Sequence, residues 1–240
     1  MIPLGCLVGT APGTPTLPTV IGEPALGGFY AGIIDTTQPG AITASDQYQT
    51  GQRYLLIVAP KSLEISDRSI AWRTTRRGTN LSAQTRWNGL EAQEAYAYSE
   101  FPAFNYCYDL PYPNDGGSRW YVPAMDELEL CYRNLKPSTN DNLYLVSNVN
   151  GDFPSFSEGL PSGQNPSSDP QGTAYTATVP GQTPVTNFQY NQPEYFGSSE
   201  YWTSTWCDDS NTWTMNLGWG EYRDKSPDSL QSVRPVRRYP

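Results

Sequence analysis

Four of the seven tryptophans in this chain of 240 residues, Trp202, Trp206, Trp213 and Trp219, fall between residues 202 and 219. They interleave with Asp208, Asp209, Ser210, Asn211, Thr212 and Asn216, and Glu221, Tyr222, Arg223 and Asp224 follow. Flat rings beside carboxylates and amides suit saccharides, whose C–H faces stack on aromatics while their hydroxyls meet the polar groups. Rigid aromatics on loops also suit protein recognition, because they bring large contact area at small entropic cost. Trp213, Met215 and Leu217 alternate with Thr212, Thr214 and Asn216, so Trp213 is expected to face a core. Trp206, Asp208, Asp209, Asn211, Trp219, Tyr222 and Arg223 flank turns and are the expected ligand-binding residues.

Other chemistries fit less well. Asp208, Asp209 and Asn211 could share a calcium ion, but that cation wants about six to eight oxygens. Two acids across a cleft could hydrolyse a glycoside, yet acid pairs abound in a chain of net charge −9. There is no histidine, which excludes Ser-His-Asp and Cys-His catalysis and imidazole-bound zinc. Cys6, Cys107, Cys131 and Cys207 lie far apart, without a CxxC pair or metal-ligand spacing, and are expected to be buried free thiols. No catalytic residue, metal or cofactor is expected. Between Pro137 and Tyr222 there is no Lys or Arg but there are nine acids, which argues against nucleic acid. The short clusters Arg73, Arg76, Arg77 and Arg234, Arg237, Arg238 do not change that. Prolines and glycines break every apolar run of the first 22 residues, so neither export nor membrane insertion is expected.

The composition is that of a turn-rich, aromatic-rich globular protein: 21 Gly, 22 Pro and 13% aromatics rule out a helical bundle. Residues 1–26 read as an extended, uncharged-to-sparsely charged attachment arm, suited to a groove on another subunit. Residues 27–240 form the domain, with a loop-rich insertion at about 138–195. Phe29–Ile34 and Tyr54–Ala59 read as strands, the second buried on both faces because it does not alternate. Ile70–Trp72, Tyr201–Thr205, Asn211–Leu217 and Ser232–Arg237 are further strands. Asn88 and Glu91 form a capping box that opens a helix toward Ala97. A second helix runs from Pro102 to Leu110 with Phe104, Cys107 and Tyr108 inward. A third, 125–135, turns Met125, Leu128, Cys131, Tyr132 and Leu135 inward, with Asp126 and Glu127 in its first turn.

Five fragments occur in a fixed order: Gly27-Gly28-Phe29-Tyr30-Ala31-Gly32, Tyr54-Leu55-Leu56-Ile57-Val58-Ala59-Pro60-Lys61, Trp120-Tyr121-Val122-Pro123-Ala124-Met125-Asp126-Glu127-Leu128, Tyr201-Trp202-Thr203-Ser204-Thr205 and Val233-Arg234-Pro235-Val236-Arg237-Arg238. Together they resemble the C-type-lectin-fold domain at the C-termini of phage tail fibre proteins and of some bacterial surface adhesins. The resemblance covers about residues 27–238. It implies an α+β fold, a twisted antiparallel sheet with two short helices (101–110 and 125–135) and long irregular loops, and no enzymatic activity. It makes Trp202 part of a buried closing strand and places the ligand face on the C-terminal loops. The Glu-Pro-Asn type of calcium-dependent sugar motif is missing, and the oxidases that share this topology need a reactive cysteine pair that is missing too. The implied function is a virion protein, made in the host cytoplasm, whose arm contacts other virion structural proteins. As a tail fibre or receptor-binding protein, expected as a homotrimer, it would attach to a host-surface glycan or protein. The alternatives are a head or tail decoration or joint protein without a receptor, and a bacterial adhesin.

Overall fold

The structure, a computed structural model, describes residues 16–37, 51–75, 86–96, 99–143, 164–208 and 210–240. Among them the strands are β1 (Pro24–Ala25), β2 (Gly28–Asp35), β3 (Arg53–Val58), β4 (Ile65–Ala71), β5 (Ser168–Asp169), β6 (Glu200–Asp208), β7 (Asn211–Asn216), β8 (Glu221–Lys225), β9 (Leu230–Val233) and β10 (Val236–Tyr239). The helices are α1 (Gly89–Tyr96), α2 (Pro102–Asp109) and α3 (Met125–Leu135). The protein is therefore α+β, mostly sheet, with three short helices.

Two sheets result, one in the order β1-β2-β3-β10 with β5 also on β2, the other in the order β4-β9-β6-β7-β8. Pairing is antiparallel except where Tyr201 of β6 meets Ser232 of β9. The expected strand over Ser232–Arg237 is in fact two strands, one in each sheet. Pro235 has no N–H to give to a ladder, so the pairing of β9 cannot run on. The chain crosses over at Arg234–Pro235, and the Pro235 carbonyl accepts from Ala59 N–H at 2.9 Å.

Helix α3 lies against β2 and is buried on nearly all sides, its acidic Asp126, Glu127 and Glu129 included. The close approach needs Gly32, whose φ is +137° and where a Cβ would sit 2.9 Å from Asn134 Nδ2 and 3.1 Å from Leu130. Asn134 Nδ2 instead donates to the Ala31 carbonyl at 2.7 Å. Met125, Leu128, Cys131, Tyr132 and Leu135 all face the main core, as their spacing predicts. A second cluster gathers Trp72, Tyr96, Phe101, Phe104, Trp202 and Trp206 between α1, α2 and the other face of β6.

The buried acids of α3 are met by protein donors. Glu127 Oε1 accepts from the Tyr54 and Tyr121 hydroxyls at 2.7 and 2.6 Å, and Oε2 from the N–H groups of Gly89 and Ala124 at 3.1 and 2.7 Å. One carboxylate thus ties β3, the start of α1 and the start of α3 together. Burial pushes its pKa up and those four hydrogen bonds pull it down, with burial winning. A carboxyl raised in the fold stabilises below its unfolded value, and that contribution fades as pH rises through the folded value. Tyr121→Phe removes a hydrogen bond to a charged group and should cost about 1.5–3 kcal/mol. Because the loss raises Glu127 further, urea denaturation should show a larger deficit at pH 7 than at pH 4. An equal deficit at both would mean that Glu127 is neutral throughout.

Several expectations need correction. Tyr108 is exposed, not inward. The buried trio of α2 is Ala103, Phe104 and Cys107, and at 3.6 residues per turn Tyr108 falls roughly 90° from the centre of that arc. The arm ends earlier than residue 26. Ile21 packs between two core clusters, β1 pairs with β2, and the Leu26 carbonyl accepts from Arg237 at 2.9 Å. Residues 1–15 of the arm, Cys6 among them, lie outside the described residues. The described part of residues 138–195 is no mere surface loop. Tyr175, Phe188 and Phe196 enter the main core, and Asn165 Nδ2 donates to Glu129 at 2.7 Å. Residues 144–163 are outside the described part.

Candidate functional site

Strands β6, β7 and β8 form an antiparallel meander that carries the expected ligand-binding residues other than Asp209. Its inner face presents Tyr201, Trp213, Met215 and Tyr222 to the main core. The other face carries Trp202 and Trp206 toward the second cluster, then Thr212, Thr214 and Asn216, then Glu221, Arg223 and Lys225. Trp202 and Trp213 are fully buried, as expected.

The meander separates the expected site residues. Asp208 pairs with Asn211 at one end, while the turn after Asn216 that carries Trp219 lies at the other. At ~3.4 Å per residue the two ends are about 17 Å apart. Asp209 and the side chain of Asp208 lie outside what is described, and Asn211 is half-buried. Trp206 is not at the surface. Its ring lies 5.2 Å from that of Trp72, because Trp206 stands four residues after Trp202 on β6 and strand alternation turns both to the second cluster. Tyr222 is also inside, its hydroxyl donating to the Met125 carbonyl at 2.9 Å. Alternation explains the pair: Tyr222 shares a face with Met215, Arg223 with Thr214.

What remains at the surface is the Trp219 end. Trp219 is 40% exposed. Its turn is fixed from both sides: Gly218 N–H donates to Asn216 Oδ1 at 2.9 Å, Ser138 Oγ to the Gly218 carbonyl at 3.1 Å, and Leu143 N–H to the Trp219 carbonyl at 2.8 Å. On β8, Arg223 bridges Glu221 Oε2 at 2.6 Å and Glu200 Oε1 at 3.3 Å, and Lys225 Nζ sits 3.1 Å from Glu200 Oε2. An exposed indole on a turn fixed in this way can stack on an apolar face and donate its N–H.

Two further surfaces escaped the sequence reading. The Arg119 guanidinium lies 4.6 and 4.9 Å from the ring centroids of Tyr108 and Tyr112, both exposed. A groove of about 470 Å³ is lined by Gln52, Arg53, Tyr54, Ser118 and Arg238 together with the glycine turn before Ser118. The signal for the groove was the Arg237-Arg238 pair: neighbours in a strand face opposite ways, so Arg237 is buried on Asp115 at 2.6 Å while Arg238 turns to the groove.

Burial pushes up the thiols of Cys107 and Cys131, which sit in the two cores. Among the described residues no three of His, Cys, Asp and Glu are grouped as a metal would require, and no helix is long and apolar enough to cross a membrane. No model of a known protein family matches the chain, and no curated protein is similar to it in sequence.

Proposed function

We propose that the chain is a structural component of a bacteriophage virion with a C-type-lectin-like fold, a tail fibre or receptor-binding protein that attaches to a host-surface glycan or protein. The observation that carries the reading is the five fragments in fixed order, which make up β2, β3, the entry to α3, β6 and the β9–β10 crossover. They supply strands to both sheets, and the β9–β10 fragment passes from one sheet to the other. The binding surface is the Trp219 end of the meander, with Arg223 on β8. The protein acts by contact and turns over no substrate. One such site is weak, and presentation as a homotrimer on the particle multiplies it. The segment preceding Ile21 contacts the other virion proteins.

Trp219 is held by backbone contacts to its turn, so Trp219→Ala should leave stability within ~0.5 kcal/mol. Fluorescently labelled protein, scored on a panel of bacterial strains and their surface polysaccharides, should bind at least one of them and lose most of that binding in the variant. Failure of the wild-type chain to bind any strain or polysaccharide would overturn the receptor reading. Binding that survives Trp219→Ala would move the site elsewhere.

A further inference from the structure

We propose that the groove formed by the start of β3, the 116–118 turn, Arg238 and Pro240 is a second binding site, which takes the carboxylate of an acidic sugar on Arg238. Among the described basic side chains, Arg119, Lys136 and Arg238 have no carboxylate partner. Lys136 is buried, and its ammonium is used by the Asn140 carbonyl, Asn142 Oδ1 and the Pro180 carbonyl at 2.5, 2.9 and 3.1 Å. Arg119 covers two tyrosine rings. Arg238 differs, because only part of its fork is used. Nη1 donates to two neutral amides, Gln52 Oε1 at 2.9 Å and Asn88 Oδ1 at 3.1 Å, while Nε and Nη2 meet no acceptor among the described residues. The guanidinium is held in place by the Tyr54 ring, 5.4 Å from its centroid. A fixed planar fork with free donors and no counter-charge, at the wall of a groove, matches a carboxylate.

The rest of the groove narrows the ligand. Arg53 on the other wall is already met by Asp35 at 3.2 Å and Asp169 at 3.3 Å. One cation is left over, so a single negative charge is matched and a dianion is not. At about 470 Å³ the groove is larger than a bare carboxylate needs and lies within the ~300–1,000 Å³ of small-molecule sites. Gly116, in the left-handed region at φ +92° with open space where a Cβ would sit, has an N–H that meets no acceptor among the described residues. Such a turn, together with the outer Nη1 of Arg53, offers donors to hydroxyls. A carboxylate on a polyhydroxylated ring uses all of these. The site is separate from the Trp219 surface and stands whether or not that surface binds a cell.

The test is an amide NMR titration of the isotope-labelled full chain with glucuronate, glucose and acetate. Glucuronate should shift Gly116, Gly117 and Ser118 saturably, with a dissociation constant of about 1–10 mM. Glucose and acetate should bind at least about tenfold more weakly, and Arg238→Gln should weaken glucuronate by about tenfold. No saturable shift in these residues, or equal binding of glucose, or equal binding of acetate, overturns the proposal. Unchanged affinity in Arg238→Gln overturns it as well. Should that variant fail to fold, the wild-type titration decides alone, since its shifts either map to the groove or do not.

Discussion

Arg234→Met should cost about 3–5 kcal/mol of stability, a large part of the ~5–15 kcal/mol that holds a typical domain folded. Arg234 is fully buried where the chain passes from β9 to β10. Nε donates to the Ala59 carbonyl, Nη1 to Glu64 Oε2 and Nη2 to Glu194 Oε2, each at 2.7 Å. Glu64 is 1% exposed at its side chain, so removing the arginine strands a charge in the interior. Methionine fills the volume but takes the guanidinium from both acids, leaving Glu64 only the Lys61 ammonium at 3.8 Å. The loss also spreads, because Glu194 Oε2 takes the Lys61 N–H at 2.7 Å and Glu64 Oε1 takes the Tyr201 hydroxyl at 3.1 Å. Urea denaturation checks the size of the effect. Adding Glu64→Gln to the variant should recover part of the loss by removing the stranded charge. An unchanged urea midpoint would show that the buried cluster is incidental.

Trp206→Ala should destabilise by about 3–5 kcal/mol, against almost nothing for Trp219→Ala. Trp206 is 3% exposed. Its ring partner Trp72 also packs edge-on to Phe101 and Phe104 at 5.4 and 5.0 Å, so the variant opens a cavity in a cluster that cannot close without moving α2. Thermal unfolding of the two variants side by side gives the measurement. A Trp206→Ala protein that melts like the wild type but binds less would return that residue to the ligand surface.

The contrast between the two tryptophans shows which parts of the sequence can be read. Helix α3 was legible because Met125, Leu128, Cys131, Tyr132 and Leu135 repeat at helical spacing and Lys136-Pro137 ends the run. Helices α1 and α2 were legible from their first residues: Glu91 N–H does donate to Asn88 Oδ1 at 3.2 Å, and Pro102 opens α2. Most strands announced themselves as short aromatic and β-branched runs. The burial of Glu127 was not legible, since an acid in a first turn looks the same whether it faces water or three protein segments. Nor was the site. Trp206 and Trp219 flank turns alike in sequence, but Trp206 lies within β6 on the face it shares with Trp202, while Trp219 sits in the turn between β7 and β8. Proximity in sequence also misled, because a hairpin strand carries residues five positions apart to opposite ends of a sheet.

The crossover at Arg234–Pro235 bears on biosynthesis. Strand β9 sits between β4 and β6, and β10 pairs along the length of β3, so both sheets wait for the same ten residues. A nascent chain still short of residue 239 on the ribosome has β3 and β4 without these neighbours, and its tyrosines and tryptophans stay open to other chains in the meantime. Assembly of the two sheets is therefore a late event, in which β9 and β10 close what β3 and β4 began.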